Sequence, residues 1–232
     1  MKRYLQKDLT SLFEFYYKCT NNTADFNKKA DRMTVELTAL AGITITNLNI
    51  SGRSYPYLTQ GDFETAVSPT GGLSLNLVLP RNQGRFSINN ELLFTTYKIE
   101  GTHKDYESED IHTYTYTTFE TSQVKLNTMV RMKIPINKIN LRLEAGVSNA
   151  YAFSVSADRV QDIKFYTQEE IVKDQALKNK RKYEQGFLGG IGAEYGKFSF
   201  TTRFEKSNGM SQLNTLKTGV TRIYLVFGFK LK

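Results

Sequence analysis

Two histidines, His103 and His112, fall in one acidic and hydroxyl-rich stretch, HKDYESEDIHTYTYT, with Asp105, Glu107, Glu109 and Asp110 between or beside them. Residues of these types could do two kinds of chemistry. His112 beside Ser108 and Thr113 has the makings of a base next to a hydroxyl, the pairing that a lipid-modifying hydrolase needs at a membrane surface. The carboxylates and imidazoles could instead hold a cation, but oxygen-ligated cations demand a defined ligand spacing that this stretch lacks. It reads as a solvated loop, and neither a catalytic nor a metal site is expected. FLGGIGAEYG resembles a phosphate-cradling glycine loop only superficially: no lysine follows in the required place, and alternating glycines suit close packing in a strand. Cys19 is the single cysteine, which excludes an intramolecular disulfide and a cysteine-based metal site. It follows FEFYYK, not a lipid-anchoring signal, and reads as an idle thiol. No cofactor is expected.

The remaining charges follow a different order. Glu36, Glu91, Lys125, Arg131, Lys133, Arg142, Glu144, Glu194, Arg203, Glu205 and Arg222 each sit at alternate positions of segments whose other positions are apolar. The clearest case is QVKLNTMVRMKIPINKINLRLEAGVS, residues 123–148. Val124, Leu126, Val130, Met132 and Ile134 alternate with Gln123, Lys125, Asn127, Arg131 and Lys133; after a turn at 135–138 the parity swaps, and Leu141, Leu143, Ala145 and Val147 alternate with Asn140, Arg142, Glu144 and Ser148. A period of two on both sides of a tight turn is a β-hairpin with one apolar and one charged face.

The same period recurs from Met33 onward and predicts eight strands. Three short turns, at 80–85, 135–138 and 196–197, alternate with four long loops, at about 48–67, 100–118, 154–184 and the segment SNGMSQLNTLKTG. In the third loop Thr167, with Glu170 three residues on, has the form of a capping box and predicts a short helix. Residues 1–32 differ: Leu5, Leu9, Leu12, Phe13 and Tyr16 recur at helical spacing, and NNTADFNKKADR follows as a polar linker. This segment reads as the tail of a preceding periplasmic region, with the barrel occupying 33–232.

Mean hydropathy is −0.43, yet a β-barrel exposes only every second strand residue to lipid, so the average conceals a membrane wall. No run of 18 apolar residues exists to form a transmembrane helix. Met1 opens no export signal, so an exported chain would be a mature form or part of something longer. The polar face decides which way the wall faces. The apolar face of the eight strands carries no charge by this parity, and a Lys or Arg facing mid-membrane costs roughly 2–4 kcal/mol. Short turns then share one end of an up-and-down barrel and long loops the other, the layout of outer-membrane barrels. An eight-stranded barrel is just wide enough for its own side chains, so the charged face should form an interior network of ion pairs and not a channel. The alternative with the same period is a soluble lipocalin-like barrel, apolar inside and charged outside.

With these residues in view the chain resembles the PorT-like outer-membrane β-barrel family of bacteroidete-type bacteria. The resemblance rests on the third strand FSINNELLF, the fifth-strand LEAG, the hairpin GIGAEYGKFSFTTRFE and the closing RIYLVFGFKLK, and covers most of 33–232. It implies an integral protein of the bacterial outer membrane, in some members associated with secretion machinery. Members commonly end on an aromatic residue, whereas here Phe229 is followed by Lys230-Leu231-Lys232.

The formal charge is +8, which in this setting favours anionic lipid over nucleic acid. The basic run Lys173, Lys178, Lys180, Arg181 and Lys182 is expected just outside the membrane, against lipopolysaccharide phosphates. Other envelope or secretion proteins are the remaining partner class. The functional expectation is a non-enzymatic membrane anchor or interaction module with a plugged lumen; a lipid-modifying enzyme or narrow transporter is the alternative.

Overall fold

The computed structural model describes residues 6–20, 33–80, 84–178, 180–213 and 215–232, with side chains from residue 9 onward. Contacts divide the chain into two units, 1–32 and 33–232. In the first, α1 spans Gln6–Cys19 and carries Leu9, Leu12, Phe13 and Tyr16 at the helical spacing read from the sequence. Leu5 and the linker at 21–32 lie outside the described residues.

The second unit is an antiparallel barrel. Its strands are β1 (Thr34–Gly52), β2 (Asp62–Phe63), β3 (Ala66–Val78), β4 (Phe86–Ser108), β5 (Ile111–Ile136), β6 (Ile139–Phe165), β7 (Gln168–Gln175), β8 (Tyr183–Tyr195), β9 (Phe198–Asn208) and β10 (Leu216–Lys230). A ring of eight is closed by β1 against β10, from Thr38↔Lys230 to Gly52↔Leu216. The short β2 and β7 stand outside the ring, paired to β4 and β6. Closure leaves no open sheet edge in the wall, which a spanning sheet requires because lipid cannot satisfy backbone amides.

The apolar face points outward. Leu73, Leu75, Leu92, Leu126, Val130, Phe200 and Phe227 are all more than 40 % exposed, whereas Glu91, Lys125, Arg222 and Glu205, at inward positions of the same wall, are fully buried. A lipocalin-like arrangement is thereby overturned: the charges fill the centre and the aliphatic side chains wrap the outside. The chain is an eight-stranded transmembrane β-barrel with a small N-terminal helix.

Two of the expected loops are strand instead. β4 continues to Ser108 and β5 begins at Ile111, so 100–118 is a hairpin closing at Glu109-Asp110. Its composition explains this: Thr113, Thr115 and Thr117 occupy one face and Tyr114 and Tyr116 the other, residue types that favour a pleated sheet. Likewise β6 runs to Phe165, turns at Tyr166-Thr167, and returns as β7. The short helix expected from Thr167 and Glu170 is absent; Glu170 pairs with Ile163 across the sheet. One isolated helical turn gains little against its nucleation cost, whereas the open edge of β6 offers a full ladder. The first loop is also shorter than expected, because β1 extends to Gly52, and it holds a four-residue helix α2 (Pro56–Thr59).

These extensions make the barrel lopsided. β8 and β9 have 13 and 11 residues, enough for one tilted crossing, while β5 and β6 have 26 and 27. The outward apolar band ends near Phe94, Val124 and Phe153; the rings of Phe94 and Phe153 stack at 5.9 Å. From Val124 up to Ile111 the strand rises a further ~45 Å along its axis, so β4, β5, β6 and β7 project from the rim as one sheet. A register shift at Ser122/Gln123, opposite Phe153, marks the point where wall becomes projection, as bulges at barrel rims do.

Candidate functional site

The lumen is built by strand alternation alone, each inward position following its neighbour by two residues. From the short-turn end upward it holds three layers of charge. In the first, Glu36 on β1 accepts from Lys230 at 2.6 Å, Asn76 at 2.8 Å and Lys133 at 3.3 Å. Glu194 on β8 lies 3.5 Å from Lys133 and 3.7 Å from Arg142, whose guanidinium also donates to the Thr201 hydroxyl at 2.8 Å.

The middle layer centres on Arg203 of β9. It forms a two-pronged contact with Glu91 of β4, at 2.5 and 2.7 Å, and a further bond to Glu144 of β6. Arg131 of β5 approaches Glu144 at 3.0 Å and Glu91 at 3.7 Å, and Asn89 donates to Glu91 at 2.7 Å. The fork geometry of guanidinium on carboxylate is the strong form of this contact. Every partner is needed, because a carboxylate without one would be an uncompensated charge away from bulk water.

In the upper layer Lys125 of β5 donates to Glu205 at 2.5 Å and to the Tyr224 hydroxyl at 2.9 Å, and that hydroxyl donates to Glu205 at 2.8 Å. Arg222 reaches Glu205 at 3.1 Å and both oxygens of Glu184, and its guanidinium lies over the Tyr97 ring, 5.4 Å from the centroid. Glu184, at the end of the charged segment 154–184, carries a weak signal in the sequence. Continuing the alternation of Gly186, Leu188, Gly190, Gly192 and Glu194 back by one step places it inside.

Above Tyr97 the inward face changes character, contrary to the expectation of charge throughout. Leu48, Leu58, Ile99, Phe119, Leu177, Leu216 and Val220 close together as an apolar core over the charged layers. The segment after β7 contributes Ala176 and Leu177, with the Ala176 carbonyl accepting from the Tyr57 hydroxyl at 3.0 Å. Between cap and charges, a cavity lined by Tyr97, Gln123, Glu184 and Met210 among others holds about 10 Å³, room for roughly one water molecule.

The glycines of FLGGIGAEYG make space for the middle layer. A Cβ on Gly190 would lie 2.7 Å from Cγ of Arg203 and 2.7 Å from the Thr202 carbonyl, and one on Gly192 would lie 2.8 Å from the Thr201 hydroxyl. Gly190 is bare where the Arg203 side chain crosses the barrel and Gly192 where the Thr201 hydroxyl sits, and no phosphate loop forms.

The histidine stretch is dispersed by the same alternation that orders the lumen. His103 faces Thr115 and Asp105 faces Thr113, whereas His112 lies across from Tyr106. His103 and His112 therefore occupy opposite faces of the sheet, and Thr113 points away from His112. The His112 ring packs between Tyr106, 6.0 Å away and stacked, and Tyr114, 5.0 Å away. Among the described residues no cluster of His, Cys, Asp or Glu is placed to hold a metal ion.

Nor does the basic run form one patch. Lys173 is exposed on β7, where it faces Val160. Lys178 and Lys182 are exposed, while Lys180 bridges to Ser211 and the Arg181 amide donates to the Met210 carbonyl at 2.7 Å. The segment folds down over the mouth to carry Leu177 into the cap, which separates its charges.

Comparison with solved structures finds similar barrels of low identity. Neisserial surface protein A matches at 10% identity and a TM-score of 0.38, covering 86% of this chain and 99% of that one. The attachment invasion locus protein Ail of Yersinia pestis, in complex with the heparin analogue sucrose octasulfate, matches at 11% identity and a TM-score of 0.35, covering 84% and 99%. The outer membrane enzyme PagL matches at 11% identity and a TM-score of 0.38, covering 84% and 98%. No curated protein matches the sequence. The family described as "Outer membrane protein beta-barrel domain" matches residues 21–208; with an apolar wall, a charged lumen and a closed ring of eight strands, the chain belongs to that family, whose place is the bacterial outer membrane.

Proposed function

We propose that the barrel is a closed, non-enzymatic anchor that holds the projecting β4–β7 sheet above the outer membrane for contact with another macromolecule. The observation that carries this reading is the lumen: three layers of ion pairs beneath an apolar cap leave no continuous path for a solute. A transporter would need those layers to part, and each joins strands far apart in the ring. Lipid modification is disfavoured by the separation of His112 from Thr113 across the sheet. The length of β5 and β6 supports an interaction role, since a barrel needing only to span would stop near the lengths of β8 and β9.

The likeness of FSINNELLF and GIGAEYGKFSFTTRFE to PorT-like members supports a partner drawn from the envelope or its secretion machinery. The exposed Lys173, Lys178 and Lys182 remain the residues proposed to meet lipopolysaccharide phosphates. Purified protein in planar bilayers tests the closed lumen: stepwise conductance at modest voltage refutes it. A mass shift of lipid A on incubation with the protein refutes the non-enzymatic reading.

A further inference from the structure

The distribution of charge over the barrel is uneven. In the lumen, acids and bases are nearly matched, and on the projecting sheet and its neighbouring loops they are nearly matched again. The +8 excess therefore has to lie elsewhere, and within the barrel it lies at the end where the turns are short. The connections 80–85, 137–138 and 196–197 contain Arg81, Arg85, Lys138 and Lys197 and not one acid, and Lys232 follows the last strand. In an outer-membrane barrel this end faces the periplasm.

Two of these residues lie on neighbouring turns. β6 pairs with β8, so the Asn137-Lys138 turn and the Gly196-Lys197 turn are neighbours around the rim. Both lysines are exposed, and neither has an ion pair among the described residues. The nearby carboxylates Glu36 and Glu194 point inward and are taken by Lys133, Lys230 and Arg142. Both turns are held by left-handed residues, Asn137 at φ 54° and Gly196 at φ 59°, which keeps each turn two residues long. Their ammonium groups accordingly stay close to the edge of the apolar wall.

Directly beside Lys138 the outer wall is concave. Ile136, Ile139, Leu141 and Tyr195 line an open groove of about 800 Å³ that Asn137 and Lys138 border at the short-turn end. It is apolar along its length and positive at one end. That is the profile of a phospholipid: an acyl chain laid along the isoleucines and the tyrosine ring would bring its phosphate to Lys138, with Lys197 on the neighbouring turn.

We propose that the Lys138–Lys197 rim, with this groove, is a binding site for anionic phospholipid headgroups of the inner, periplasmic leaflet. The groove selects a lipid over a soluble anion because its walls are apolar. The turns are too short to reach a partner deeper in the periplasm. The proposal rests on the outer-membrane reading only for which leaflet is meant.

The test uses the full chain in phosphatidylcholine vesicles containing spin-labelled phosphatidylglycerol or spin-labelled phosphatidylethanolamine, with the immobilised fraction read by electron spin resonance. The wild-type protein should immobilise the phosphatidylglycerol label preferentially, and a K138Q/K197Q variant should lose about fivefold of that preference for each lysine removed. A K206Q/K217Q variant, which removes two outward lysines from the opposite end, should keep it. Raising salt to ~1 M should weaken the wild-type preference, a measurement independent of any variant's folding. Equal immobilisation of the two labels, or loss of preference in K206Q/K217Q and not in K138Q/K197Q, overturns the proposal. Heat-modifiable gel migration on the same samples reports separately whether the barrel is inserted.

Discussion

Removing Arg203 tests whether the lumen charges hold the barrel together. Arg203 is 2 % exposed and bonds to two buried carboxylates, Glu91 at 2.5 and 2.7 Å and Glu144 on the neighbouring side. In R203M both acids remain, with Arg131 the one base in ion-pair reach of both among the described residues, at 3.0 Å from Glu144 and 3.7 Å from Glu91. Breaking a buried pair in this way costs roughly 3–5 kcal/mol, most of it from the stranded charge. Removing both sides should cost far less. R203M/E91Q leaves Glu144 with Arg131 and an amide in place of Glu91, so it should recover at least ~2 kcal/mol of the loss, a coupling within the range that contacting residues show. The assay is urea unfolding from lipid vesicles, followed by the gel shift between folded and heat-unfolded forms. If R203M/E91Q is no more stable than R203M, the middle layer is not an energetic unit and the reasoning fails.

Three further outcomes follow from the same geometry. G190A should destabilise the folded form by roughly 1–3 kcal/mol through overpacking against Arg203, while G189A, whose Cβ would come no nearer than 3.7 Å to the Glu144 carbonyl, should be tolerated; equal effects in the gel-shift titration would refute the assignment of Gly190 to the lumen. V130K, at an outward position 60 % exposed at mid-wall, should lose about 2–4 kcal/mol, whereas Y116K on the projecting sheet should stay within ~0.5 kcal/mol. F119A empties the centre of the apolar cap, where Phe119 is 1 % exposed, and should cost roughly 3–5 kcal/mol without producing conductance in planar bilayers, since the charged layers remain beneath it.

The wall was legible in the sequence because one physical rule, alternation, decides both pairing and orientation there. Val124 to Ile134 and Leu141 to Val147 read directly as a hairpin, and the charges opposite them all landed inside. Above the wall the rule weakens. Thr113 to Thr117 alternates hydroxyl with aromatic, and polarity alone does not separate such a strand from a loop; the ladders to β4 and β6 do. Thr167 and Glu170 gave a sound local signal for a helix that a long-range pairing outcompeted. The apolar cap was hidden for a related reason. Leu48, Ile99, Phe119 and Val220 keep the inward parity of Glu36, Glu91 and Arg222, so the inward face changes from charged to apolar without any break in the period. Glu184 was lost where Gly186 and Leu188 thin out the pattern.

The span of the lumen contacts has a consequence for how the barrel is made. Lys125 and Glu205 are 80 residues apart, and Arg203 and Glu91 are 112 apart. A sheet still open between its first and last strands would leave these groups unmatched, and Glu36 would lack Lys230, which arrives only with the final strand. Pairs on adjacent strands, Arg131 with Glu144 and Arg222 with Glu205, can form in an open sheet, but the contacts that cross the lumen form only as the sheet curls into a cylinder. The cross-lumen ion pairs therefore favour the register in which the two ends of the wall meet correctly.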